Sequence, residues 1–118
     1  MPWWLSEGVA SYFGYHYQDP SAAQLRLEQV REWAANDELA DWAAMAVFEE
    51  TPLELWPNVY AQGYAFSAFV TDVFGEAQRN QWLAAMATEM EIEAATQAVL
   101  GVAFPDLDAQ FTDWLSEG

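Results

Sequence analysis

The chain is expected to be all-α, a bundle of six or seven helices in a single domain spanning residues 1–118. Three observations predict it: apolar residues recur at helical spacing along most of the sequence, proline and glycine stand at the ends of those segments, and no polar/apolar alternation bounded by hairpin turns marks a strand. Pro2 suits a first helical turn, and Trp4, Leu5, Ala10 and Tyr12 give an apolar side to a segment ending near Tyr15. Asp19-Pro20-Ser21 is a helix start, after which Ala23, Leu27, Val30 and Ala34 recur at spacings of four, three and four. Asn36-Asp37 breaks that stripe and can cap a third helix over Glu38–Glu50, with Leu39, Trp42, Ala43 and Ala46 on one side. Pro52 and Pro57 bracket a connection of turn chemistry. Val59 to Phe74, nearly free of charge, predicts a helix buried on most sides that stops at Gly75 with positive φ. Two further helices follow in Glu76–Met90 and Glu91–Leu100, the second ended by Gly101, and Pro105 starts a last one through Trp114.

Composition bounds what such a domain can bind. Nineteen Asp and Glu stand against three arginines (Arg26, Arg31, Arg79) and no lysine, a formal charge of -16. A nucleic-acid partner is excluded on that basis, because phosphate contacts need clustered cations. An aromatic share of 16% is far above that of a disordered acidic tail, so the chain folds. The acidity reads as solvated helix faces or as a surface for a cationic partner. There is no cysteine, hence no disulfide and no thiolate site, and no apolar run approaches the roughly 20 residues of a membrane span.

Read residue by residue, the chemistry candidates are few. The only histidine, His16, lies nine residues after Glu7, about 180° around a continuous helix, so the two cannot share a metal there; Ser11, four residues on, does share the Glu7 face. One histidine and no cysteine cannot build a tetrahedral zinc site within the chain. Asp106 and Asp108 have the spacing that opens a calcium loop, but the glycine and closing glutamate of such a loop are missing. The serines have no neighbouring histidine in an elbow or triad arrangement, and no glycine-rich phosphate cradle is present.

One pentapeptide, Trp-Leu-Ser-Glu-Gly, occurs twice, at residues 4–8 and again at 114–118. The first copy continues as Val9-Ala10-Ser11-Tyr12 and resembles the third-ligand helix of gluzincin zinc peptidases of the peptidase MA-like group, whose pattern reads W-L-x-E-G-x-A-[ES]-Y; aminopeptidase N-like members share the Gly-x-Ala-Ser-Tyr continuation. Tyr60-Ala-Gln-Gly-Tyr-Ala65, followed by an apolar stretch to Gly75, is similar to that group's later helix, Y-x-x-G-[FY]-A. The segment Ala94–Leu115 also resembles the group's closing pattern, which makes the second copy of the pentapeptide a packing helix with Glu117 as a solvated terminal charge.

The resemblance implies a zinc-dependent metallopeptidase acting on peptide bonds through a metal-activated water. Glu7 would be the third zinc ligand. Gly8 after it would allow a close approach of two helix backbones. Tyr60 would steady the oxyanion with a neutral hydrogen bond. It covers only the C-terminal half of such a catalytic domain: the H-E-x-x-H helix, with two imidazoles and the general-base glutamate, would precede Met1, so zinc would be held only with ligands from outside this chain, which by itself would be inactive. A complete site of two neutral imidazoles and one carboxylate leaves zinc net positive and lowers the pKa of its bound water to about 7. The partner of the complete enzyme would be a peptide or protein substrate. The surface near Trp3 and Trp4, uncovered without that half, is expected to favour self-association. The other readings are a non-catalytic acidic binding module on the same helical scaffold, and a plain structural helical domain in which Glu7 is only a first-turn carboxylate favoured by the helix dipole.

Overall fold

The computed structural model describes residues 1–117; Gly118, the last residue of the second pentapeptide, lies outside the described residues. Among the described residues six α-helices make up the fold: α1 (Trp3–Gln18), α2 (Pro20–Ala35), α3 (Trp56–Phe74), α4 (Glu76–Ala87), α5 (Ile92–Ala95) and α6 (Phe104–Ser116). No strand occurs among the described residues. Local chemistry sets most ends. Asp19 accepts the Ala22 backbone N–H at 3.1 Å with Pro20 behind it, which starts α2. Gly75 (φ 90°) ends α3, and Gly101 (φ 76°) ends the wide π turn Thr96–Leu100 that continues α5. The first helix runs to Gln18 rather than Tyr15, and α3 begins at Trp56, because Pro57 occupies its first turn instead of closing the preceding connection.

The axis of the fold is α3, and α1 lies across it in backbone contact. A Cβ built on Gly8 would stand 2.3 Å from the Gly63 carbonyl carbon, and one on Gly63 would stand 2.4 Å from the Trp4 carbonyl oxygen. No other residue type fits at either position without moving a helix. Around this crossing α2 packs on α1, α3 and α6, and α4 packs on α3 and the π turn.

The core is aromatic. Phe66, fully buried at the middle of α3, has Phe111 at 4.9 Å, Trp42 at 5.2 Å, Trp4 at 5.3 Å and Phe69 at 5.6 Å between ring centroids. Trp4 and Trp42 lie closest, 4.2 Å apart at 38°. Trp4 is 1% exposed, so the expectation that it would be uncovered beside Trp3 is corrected: four residues before Gly8, it turns into the core side of α1 together with Leu5 and Tyr12. Ala10, expected on that side, is exposed.

The helix expected over Glu38–Glu50 is absent as such. The segment holds only two short 3-10 turns, Trp42–Met45 and Phe48–Glu50. Asp37 adopts φ 58° after α2, and Asp41 and Val47 are extended. What displaces the helix is tertiary. The buried Gln62 amide on α3 accepts the Ala40 N–H and donates to the Ala40 carbonyl, both at 2.9 Å, taking the two backbone groups a helix would use. Trp42 is drawn to the core, its indole N–H donating to Asp108 at 2.8 Å. Gln62→Ala leaves both Ala40 groups without a partner and is expected to cost about 2 kcal/mol, with faster amide exchange at Ala40 while α2 stays protected. Unchanged exchange at Ala40 in that variant would contradict this account.

Candidate functional site

Glu7 is partly buried one residue before the helix crossing. Its Oε1 accepts a hydrogen bond from the indole Nε1 of Trp3, one turn earlier on α1, at 3.1 Å. The same Trp3 ring meets Tyr60 edge-on at 6.4 Å, Trp56 at 5.5 Å and Phe48 at 4.9 Å. Tyr60 lies three residues before Gly63 on α3, as Glu7 lies one before Gly8 on α1. The glycine contact therefore brings the two sequence segments together, and Trp3 lies against both candidate side chains.

A carboxylate held by an indole N–H keeps acceptor capacity on both oxygens, and a phenol is a donor without charge. These are suitable groups for a metal ligand and an oxyanion donor. Among the described residues, however, no group of three His, Cys, Asp or Glu side chains could hold a metal ion. Taken alone, the chain does not fit zinc: Glu7 is a single ligand. Neither Glu7 nor Tyr60 lines any of five surface recesses formed by the described residues. The recess next along α1 continues the Glu7 face through Ser11, Gly14 and Gln18, whose only polar side chains are those of Ser11 and Gln18.

The remaining candidates have structural surroundings. His16 is exposed in the last turn of α1, stacked on Tyr12 at 5.1 Å. Asp106 sits in the first turn of α6 and Asp108 accepts from Trp42, so neither belongs to a calcium loop. Glu117 is an exposed residue following α6, while Trp114 and Leu115 pack on the core, so the two pentapeptides occupy different environments. Burial, with Tyr12 beside it, pushes the Tyr64 phenol above its ordinary pKa and keeps it protonated.

The residue pattern names no partner for Glu7; in the structure it is Trp3. The available signal was its position four residues earlier, where a side chain on the same helix face can reach back. The role of Gly63 was likewise visible only as part of a pattern, and its contact with Gly8 emerges in three dimensions. Comparison with protein-family models, characterised proteins and solved structures finds no match. No helix among the described residues is long and apolar enough to cross a membrane.

Proposed function

We propose that this chain supplies the third-ligand carboxylate, Glu7, and the oxyanion-steadying phenol, Tyr60, of a zinc-dependent metallopeptidase of the gluzincin kind. The two imidazole ligands come from outside these 118 residues, since the chain holds one histidine. The observation that supports the reading is the Gly8–Gly63 contact, which brings two separately matched segments to one crossing with Trp3 against both Glu7 and Tyr60. In this reading Trp3 fixes the Glu7 rotamer, the glycines set the spacing of α1 and α3, and Tyr60 offers its O–H toward a peptide carbonyl. The substrate is a peptide or protein.

The isolated chain is expected to bind zinc weakly in calorimetric titration and to hydrolyse no peptide. Tight stoichiometric zinc uptake that disappears in Glu7→Ala would show that the other ligands lie within the chain after all. The coding sequence upstream of Met1 tests the reading itself. An in-frame H-E-x-x-H within some tens of residues supports it, and a stop codon followed by a translation start overturns it in favour of a non-catalytic acidic binding module. In that second reading the exposed apolar side chains beside Trp3, Phe48 and Leu53 among them, are the binding surface.

A further inference from the structure

We infer that the surface at the N-terminal end of α1 is a docking site for a basic amphipathic helix of a partner protein. The inference deepens the binding-module reading and needs no metal. Four of the large apolar side chains that remain exposed belong to this end of the molecule: Met1 (47%), Val47 (44%), Phe48 (49%) and Leu53 (74%). Phe48 packs on Trp3 and, at 5.6 Å, on Trp56, while Met1 and Val47 line one groove; Leu53 opens the turn leading directly into Trp56. The backbone here is pinned, the Trp3 N–H donating to the Ala46 carbonyl at 2.8 Å, so the rings form a fixed platform. Beneath it the Trp56 indole N–H is buried without a hydrogen-bond partner. Exposed apolar surface gathered in one place on an otherwise strongly charged protein marks an interaction site.

Charge selects the occupant. Glu49 and Glu50 follow Phe48, Glu54 follows Leu53, and Glu91 and Glu93 line the groove with Met1. No Lys or Arg occurs between Arg31 and Arg79. The three arginines are engaged elsewhere: Arg26 donates to the Tyr15 hydroxyl at 2.7 Å, Arg31 lies 5.8 Å from the Trp114 ring centroid, and Arg79, 4% exposed, lies over the Phe13 ring and donates to Asn80 and Thr71. Their partners Phe13 and Tyr15 belong to the C-terminal half of α1, so the carboxylates around Phe48 have no cationic side chain to offset them. A second copy of the chain would bring like charge against like charge, and anionic lipid or nucleic acid would be repelled in the same way. A helix with an apolar stripe for the rings and Lys or Arg along its edges satisfies both components, its cations also suiting the faces of Phe48 and Trp56.

The test is calorimetric titration of the 118-residue chain with three synthetic helical peptides: one of Leu and Lys at amphipathic spacing, one with Glu for Lys, and one with Ser for Leu. The Leu/Lys peptide is expected to bind one to one and to weaken with salt. A Phe48→Ser/Leu53→Ser variant should lose at least about tenfold in affinity. Leu25→Ser, at an apolar residue of α2 exposed to 68%, should lose none. A Glu49→Gln/Glu50→Gln/Glu54→Gln variant, which leaves the apolar platform untouched, should flatten the salt dependence and serves if the serine variant does not melt cooperatively. The inference is overturned if neither variant changes binding, if the Ser/Lys or Leu/Glu peptide binds as tightly, or if no peptide binds. It is also overturned if the chain sediments as a dimer that Phe48→Ser/Leu53→Ser dissociates, which would assign the face to a second copy. None of these readouts involves zinc or hydrolysis, so failure of the peptidase reading leaves them unchanged.

Discussion

Gly8→Ala is expected to destabilise the protein by about 3 kcal/mol or more, enough to leave much of it unfolded at ordinary temperature. The added methyl group would sit 2.3 Å from the carbonyl carbon of Gly63, which is backbone of another helix and has no rotamer through which to escape. Relief requires α1 to lift away from α3, which pulls Trp4 and Leu5 out of the core and separates Trp3 from Tyr60. The control is on the same helix. Gly14 has nothing within 4 Å of a built Cβ, so Gly14→Ala should raise stability by about 0.5–1 kcal/mol through helix propensity alone. Thermal melts of the two variants beside the wild type separate the effects, and a Gly8→Ala protein melting with the wild type would refute the close crossing.

Phe66→Ala should cost about 4 kcal/mol and lower the melting temperature by on the order of 15 °C. The ring is fully buried and its neighbours come from four parts of the chain: Trp4 on α1, Trp42 in the irregular segment, Trp82 on α4, and Phe104 and Phe111 on α6. Such neighbours are large and mutually braced, so they cannot collapse into the space left behind, and the cavity contribution adds to the lost transfer free energy. A loss below about 1.5 kcal/mol in urea titration would show that these rings repack freely.

The helical architecture was legible because its signals are local. Asp19 and Pro20 start α2, Gly75 and Gly101 end segments in left-handed or otherwise glycine-favouring backbone, and the uncharged run after Val59 needs burial on several sides. The stretch Glu38–Glu50 departs from the helix its spacing predicts because its conformation is decided from a distance. Its spacing and alanine content suit a helix, yet one side-chain amide 22 residues on claims the backbone of Ala40, and the need to seat Trp42 against Phe66 and Asp108 outweighs propensity. The candidate site was legible as two separate segments. Glu7, Gly8, Tyr60 and Gly63 were each marked by pattern, whereas the indole that lies against Glu7 and Tyr60 belongs to Trp3, whose role depends on where Phe48 and Trp56 come to rest.

The close, tilted indoles of Trp4 and Trp42 have a spectroscopic consequence. Two identical chromophores 4.2 Å apart and inclined at 38° couple their excited states, producing paired bands of opposite sign in the far ultraviolet on top of the helical dichroism. Optical estimates of helicity for this polypeptide therefore carry an indole contribution that a Trp42→Phe protein would lack, and that contribution reports whether the segment between α2 and α3 is docked.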